Sequence, residues 1–284
     1  MNIRMRSTRT GSLLLAIAAV GGGCATMMDS ALDRAAQRTG EGVGDAVGKK
    51  TGEIAGAYVV SRFPAAWTPD LTNIYVGYLF SLAFHSGGYS VGGKAYASGD
   101  WTKWNMVDSS GKGKASTLER AFLGKQADGK EWWRVKLTDG ESGDQMILEG
   151  LFSADASELV RLRGKMPRDV DAKEMPVQKG TFGYVKPTEL TAESIQGATV
   201  GPEKITVPAG SYNTKHVRYG GMGGGTLDWW LIDRVPGGME KYSTSDTNAA
   251  AAPSGGAPNA HSWALELAGV GAGAKSELGV NVAG

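Results

Sequence analysis

The sequence predicts a mainly β protein built on an antiparallel sheet, with a glycine-rich helix and a short buried helix ahead of it. Three observations predict this. From Trp101 onward apolar and polar residues alternate with period two, the pattern of strands that bury one face. Turn material such as Ser109–Gly113, Asp128–Lys130 and Asp139–Gly143 separates the alternating runs, and connections this short join antiparallel neighbours. The tryptophans fall almost wholly within those runs, at Trp101, Trp104, Trp132, Trp133, Trp229, Trp230 and Trp263.

The chain begins with a leader over residues 1–23. Arg4, Arg6 and Arg9 form its positive end, Leu13–Val20 its apolar run, and Gly21, Gly22 and Gly23 its small-residue cleavage zone. The apolar run is far shorter than the roughly 20 residues a spanning helix needs, so the leader is expected to be removed. Cys24 follows directly and is the only cysteine, which leaves no disulfide framework and no thiolate metal site. A cleavage zone that ends on a cysteine resembles the lipobox of bacterial lipoproteins, with Gly21 standing where that family prefers Leu. The resemblance implies a diacylated Cys24 thiol, cleavage before it, and acylation of the new amine. Attachment to the membrane would then come from lipid, each buried methylene contributing about 0.8 kcal/mol. Ala25 and Thr26 come next, where similar lipoproteins retained in the inner membrane carry Asp at the first position. The resemblance therefore implies an outer-membrane address facing the periplasm.

Residues 24–63 form a second region. From Ala31 to Phe63 the sequence reads as a helix in which Gly40, Gly44, Gly48, Gly52 and Gly56 recur every four residues. That spacing aligns them in one row on which another backbone can pack closely. Arg38, Glu41, Asp45, Lys49, Lys50 and Glu53 are interspersed, which argues against a buried membrane span. Each glycine costs a helix roughly 1 kcal/mol against alanine. The segment is either a weakly ordered tether, a packing surface for self-association or an envelope protein partner, or an element that inserts into the membrane.

Residues 64–284 form the β domain. Beyond Pro64 and Pro69, Leu71–Phe84 is almost continuously apolar but too short to cross a bilayer, so it is predicted to be a buried helix, with Asp70 placed to cap it. His85, Gly87 and Gly88 end it. Candidate strands follow at Trp101–Asp108, Thr117–Leu123, Glu131–Thr138, Gln145–Phe152 and Leu159–Arg163. Alternation points Trp133, Val135 and Leu137 one way and Arg134 and Lys136 the other. Pro167–Gly197 is less regular. Ile205–Val207 and Tyr212–Tyr219 read as a hairpin turning through Pro208, Ala209 and Gly210. Leu227–Ile232 and Met239–Tyr242 are joined through Val235-Pro236-Gly237-Gly238. Ala249–Pro258 is a low-complexity insert expected to be a mobile loop, and Trp263, Leu265 and Leu267 alternate in a last strand before a glycine-rich tail.

Charge and motifs narrow the chemistry. Lys and Arg total 30 and Asp and Glu 29; loss of the three leader arginines leaves 27 against 29. A near-neutral balance argues against nucleic acid as a partner, because phosphate binding needs a concentrated basic surface. His85, His216 and His261 occur without HExxH or paired-histidine spacing, so no metal is predicted. Gly269–Ser276 reads GVGAGAKS, with Ala274 in place of the second glycine of a P-loop and no room for the helix that must follow. Gly220–Gly225 reads as a hairpin loop and Lys112–Lys114 as a solvated turn. There is no GxSxG nucleophile motif. No cofactor is predicted, and the chain reads as non-catalytic; carboxylate pairs for glycoside hydrolysis stay open, because their separation is spatial.

The adjacent pairs Trp132-Trp133 and Trp229-Trp230 place one indole on each face of the sheet, so the second face is either covered by another element or lines a cavity. The inner face is assigned to Trp104, Met106, Phe122, Trp133, Val135, Leu148 and Trp263, as a packed core or the lining of a hydrophobic-ligand site. A strongly curved, apolar-lined antiparallel sheet on a lipidated anchor resembles the periplasmic lipoprotein-carrier superfamily, the open half-barrels of the LolA and LolB type. The resemblance spans residues 95–270 and lies in the run of Trp-bearing meander strands, the loop before Val235-Pro236-Gly237-Gly238 and the strand Trp263–Leu267. It implies binding or handling of a hydrophobic ligand, an acyl chain or lipid, in the envelope. Two alternatives stand beside it: a non-catalytic envelope scaffold or assembly factor using the glycine row, and a hydrolase of envelope material.

Overall fold

A computed structural model describes residues 76–77, 79–80, 82–84, 89–108, 114–177, 188–220, 225–245 and 262–283. Its strands are β1 (Tyr89–Ser90), β2 (Trp101–Asp108), β3 (Ser116–Lys125), β4 (Glu131–Thr138), β5 (Gln145–Phe152), β6 (Leu159–Lys165), β7 (Lys173–Met175), β8 (Thr188–Glu189), β9 (Thr199–Val207), β10 (Gly210–Gly220), β11 (Thr226–Leu231), β12 (Met239–Ser245) and β13 (Ser262–Gly271). The described helical residues between 76 and 84 are α1, and Ala192–Gly197 is α2. Cys24, the glycine row from Gly40 to Gly56, His85, His261 and the 249–258 insert lie outside the described residues.

Eleven strands form one antiparallel sheet in the order β7-β6-β5-β4-β3-β2-β13-β12-β11-β10-β9. It consists of two meanders joined where the last strand returns beside the first long one, with Leu265 opposite Met106 and Leu267 opposite Trp104. Short turns between alternating strands produce this order directly. The sheet is open, since β7 and β9 end it on either side. β1 and β8 pair in parallel as a separate two-stranded ladder. The stretch from Pro167 to Gly197 thus holds β7, β8 and α2, all too short to leave a periodic signal.

The C-terminal meander curls. The Ala209 amide, in the β9–β10 turn, donates to the Leu267 carbonyl on β13 at 2.9 Å. Three strands separate β9 from β13 in the sheet, a distance of roughly 19 Å if the sheet were flat. Bulges at His216/Val217, Trp230/Leu231 and Leu267/Gly269 supply the bend and extra twist.

One face of the sheet packs on α1. Val76, Leu79, Phe80 and Ala83 recur at helical spacing and are buried with Trp104, Leu118, Val135, Leu137, Leu148 and Leu265 in one core. The other face of β3–β5 carries Ala121, Leu123, Trp132 and Leu151, covered by Ala274, Val280 and Val282 of the C-terminal segment. That segment is held by charge. The buried Glu149 carboxylate accepts from Ser276 Oγ at 2.7 Å and from the amides of Glu277 at 2.6 Å and Leu278 at 3.3 Å. Arg134, equally buried, pairs with Glu119 and Glu277 at 2.8 Å each and donates to the Lys275 carbonyl at 2.6 Å. The GVGAGAKS stretch therefore ends a strand, and the amides that follow it clasp an anion supplied by the protein itself.

Glu149→Gln is expected to lower stability by roughly 1–3 kcal/mol, the cost of unsatisfying buried donors to a charged acceptor. Urea unfolding measures the loss, and trypsin should cut after Lys275 faster than in wild type. Unchanged cleavage with unchanged stability would show that the clasp does not hold the segment.

Candidate functional site

A cleft of about 440 Å³ opens where the end of α1, the segment before β2, the core face of β2–β4 and the turn before β12 meet. Period-two alternation builds its floor. Trp104 comes from β2, Arg120 and Phe122 from β3, and Trp133 from β4, with Phe84 from α1 and Tyr96 from the preceding segment. Arg120 shares the phase of Leu118 and Phe122 and stands between Thr102 and Val135 across the neighbouring strands. A guanidinium is thereby placed on the apolar face.

Arg120 is half-buried, and its surroundings are mostly rings. Its guanidinium carbon lies 4.8 Å from the Tyr96 ring centroid, 5.4 Å from Trp104, 5.6 Å from Phe84 and 5.9 Å from Trp133. Each ring presents a negative π-face to the cation, an attraction of about 0.5–2 kcal/mol depending on solvent exposure. Its hydrogen bonds go to neutral oxygens. Nη1 donates to the Ala83 carbonyl at 2.6 Å, and Nε and Nη2 to the Tyr96 hydroxyl at 3.0 and 2.7 Å. The first ties the backbone of α1 to the sheet. Tyr96 Oη is in turn 2.5 Å from Thr102 Oγ1, which fixes its position.

Two of the other charges at the cleft are engaged elsewhere. Glu131 lies 3.3 Å from Lys125 and accepts from Trp133 Nε1 at 3.2 Å, and Lys94 lies 4.0 Å from Asp100. Glu189 of β8 contributes an exposed carboxylate to the rim.

Two glycines of the Val235-Pro236-Gly237-Gly238 turn shape that rim. The Gly237 amide donates to the Lys94 carbonyl at 2.9 Å. With φ at +81°, Gly237 occupies left-handed backbone, and a Cβ there would stand 2.4 Å from Arg120 Nη2. A Cβ on Gly93 would stand 2.4 Å from the Gly238 Cα, so the two backbones touch.

All seven residues assigned to the inner face lie on the α1 side of the sheet, but the structure divides them. Trp104, Phe122 and Trp133 line the cleft, and the Phe122 and Trp133 rings pack at 4.8 Å. Met106, Val135 and Leu148 sit in the packed core, and Trp263 packs against Tyr242 at 5.5 Å, away from the cleft. Sequence reasoning missed Arg120, Tyr96 and Phe84. The signal for Arg120 was a charge in phase with apolar neighbours; Tyr96 stands in a stretch with no periodicity to mark it. No known protein family and no curated protein matches this chain.

A second polar cluster occupies β9–β11. His216 Nε2 lies 2.6 Å from Asp228 Oδ1 and Nδ1 lies 2.9 Å from Glu203 Oε2, while its ring stacks on Trp230 at 4.6 Å. Arg218 and Thr226 also donate to Asp228, at 2.7 and 3.0 Å. Burial pushes the Asp228 carboxyl up, but these hydrogen bonds and the Arg218 charge outweigh it and hold the pKa below its ordinary value. With both ring nitrogens facing carboxylates, His216 has none left to act as a base for a nucleophile. Among the described residues, no group of His, Cys, Asp and Glu is placed to hold a metal ion.

Glu240 on β12 is buried, and among the described residues neither carboxyl oxygen has a hydrogen-bond partner. Burial pushes its pKa up to about 7, against a smaller opposing pull from Arg234. An unfolded glutamate titrates near about 4.3, so between the two values the folded chain holds an extra proton. Its contribution is thus fully present below about pH 4 and is lost as pH rises through 7. Relative to Glu240→Gln, the wild type should lose roughly 1–3 kcal/mol between pH 4.5 and pH 8.5 by denaturant unfolding. Parallel pH profiles for the two proteins would rule this assignment out.

Proposed function

We propose that this protein is an outer-membrane lipoprotein, held by lipid on Cys24 and facing the periplasm, whose β domain binds a hydrophobic ligand such as an acyl chain or lipid. In this reading the open sheet is a half-barrel of the LolA and LolB type, and no cofactor or catalytic step is involved. The observation that carries the reading is the cleft itself. Trp104, Phe122, Trp133 and Phe84 line a cavity of about 440 Å³ on the concave, core-facing side of the sheet. Small-molecule sites occupy about 300–1,000 Å³ and are walled by aromatic and apolar side chains with a few placed polar groups. An acyl chain laid against these rings gains about 25 cal/mol for each Å² of apolar surface it removes from water.

Two measurements test the proposal. Tryptophan emission of the folded protein should shift saturably with a fatty-acyl probe, and Trp133→Ala should weaken binding about tenfold or more, beyond any effect on its unfolding midpoint. Absence of saturable binding to the folded wild type would overturn the ligand reading. Cys24→Ser should move the protein from the membrane to the soluble fraction with its leader uncut. If both forms remain membrane-bound with the same unprocessed leader, the lipoprotein reading is wrong.

A further inference from the structure

We infer that the ligand of the cleft is an amphiphile with an acidic headgroup, a carboxylate or phosphate monoester, whose anion meets Arg120 while its chain lies on Phe84, Trp104, Phe122 and Trp133. The inference rests on reading the cleft as a ligand site, and it adds the charge of the ligand.

Its basis is an incomplete set of partners. Arg120 has five N–H donors, of which three are engaged, by Ala83 and Tyr96. One N–H remains on each terminal nitrogen. Among the described residues its partners are neutral oxygens and ring faces, and no carboxylate is paired with it. The contrast with the rest of the sheet is sharp. Arg134 has Glu119 and Glu277, Arg161 has Glu174, and Arg218 has Asp228. Arg120 is drawn partly out of water by the rings, and its charge is offset by π-face attraction and hydrogen bonds to neutral oxygens, with no opposite charge among the described residues. An anion completing its donor set would form charge-assisted hydrogen bonds, the strongest kind available to a guanidinium. Of the two carboxylates that line the cleft, Glu131 is committed to Lys125 and Trp133 Nε1, and Glu189 stands exposed on the rim without an ion pair to Arg120.

The geometry also disfavours a cationic headgroup against the floor of the cleft. The aromatic faces that would cage an ammonium already surround the guanidinium. Gly237 keeps one side of Nη2 clear, since a Cβ there would fall 2.4 Å from that nitrogen.

The test uses the full-length protein, titrated below the micellar range with dodecanoate, dodecyl phosphate, dodecanol, and acetate as a headgroup without a chain. Tryptophan emission reports binding. At least one of the two anions should bind roughly tenfold or more tightly than dodecanol, the advantage expected of one charge-assisted hydrogen bond. The advantage should shrink as salt is raised, and acetate should not bind measurably. Whichever anion prevails identifies the headgroup. In Arg120→Gln the preference should collapse while dodecanol binding is retained, and in Arg120→Lys part of it should return. A merely structural Arg120 would weaken all chained ligands alike. Equal binding of both anions and dodecanol by the wild type would overturn the acidic headgroup and leave the acyl-binding proposal standing. Failure of every chained probe would overturn both. If Arg120→Gln does not fold, because the link to Ala83 is lost, the wild-type anion-to-alcohol ratio and its salt dependence decide alone.

Discussion

Two adjacent tryptophans on one strand cannot share a face, and the architecture follows from having to bury both. Trp132 and Trp133 project to opposite sides of β4, and neither indole tolerates water over its whole surface. On the Trp133 side the solution is α1, whose Val76, Leu79, Phe80 and Ala83 join the core of the sheet. On the Trp132 side it is the C-terminal segment, too glycine-rich to bury much by itself. Its apolar contribution is small, made by Ala274, Leu278, Val280 and Val282, and the buried Glu149 and Arg134 fasten it as well. A buried charge without a partner is costly, and a buried charge that collects two amides and a hydroxyl is a specific latch. Coverage of one face thus depends on hydrophobic area, and coverage of the other on electrostatics.

An open sheet of eleven strands exposes two edges, and both are blunted. β7 is three residues long, and β9 carries Pro202, which has no amide to offer an incoming strand. The curl that brings Ala209 to Leu267 draws the β9 side further inward. The same curvature gives the core face its concavity, and α1 fills the concavity only in part. The cleft is what remains at the end of the helix, where Arg120 ties the Ala83 carbonyl to the sheet. Helix anchoring and the proposed ligand contact therefore converge on one side chain, so a change at position 120 affects the seat of α1 as well as the charge of the cleft.

Most strands were legible because apolar and polar residues alternate between their two faces, although β5 is buried on both. β2, β4 and β5 run over the residues their alternation marks, and the extensions of β3 and β10 add only residues where the alternation fades. β7, β8 and α2 were not legible, since two to six residues carry less than one useful period. The role of the tail was hidden for a different reason. Its hold is a long-range ionic one, between Glu149 and residues 276–278, and neither partner shows it locally. For the cleft, periodicity gave the correct face but did not separate core from lining. Met106 and Leu148 have the same phase as Trp104, and only the position of α1's end decides which of them meets open space. Arg120 was legible in principle, as a charge in phase with Leu118 and Phe122.

The two polar clusters differ in the respect that matters for function. Around His216 every strong group is saturated: the ring has two carboxylates, Asp228 accepts from three side chains, and Glu203 also takes the Trp230 indole N–H at 3.0 Å. Such a closed network stitches β9, β10 and β11 together, and it offers a ligand nothing without breaking bonds already made. Around Arg120 the accounting is open. The cation is partly desolvated, its counter-charge is absent among the described residues, and donors remain on both terminal nitrogens. A fold that satisfies Arg134, Arg161 and Arg218 with carboxylates has no difficulty pairing arginines. An arginine left without one, at the floor of an aromatic cleft, is explained most simply by a counter-ion that arrives with the ligand.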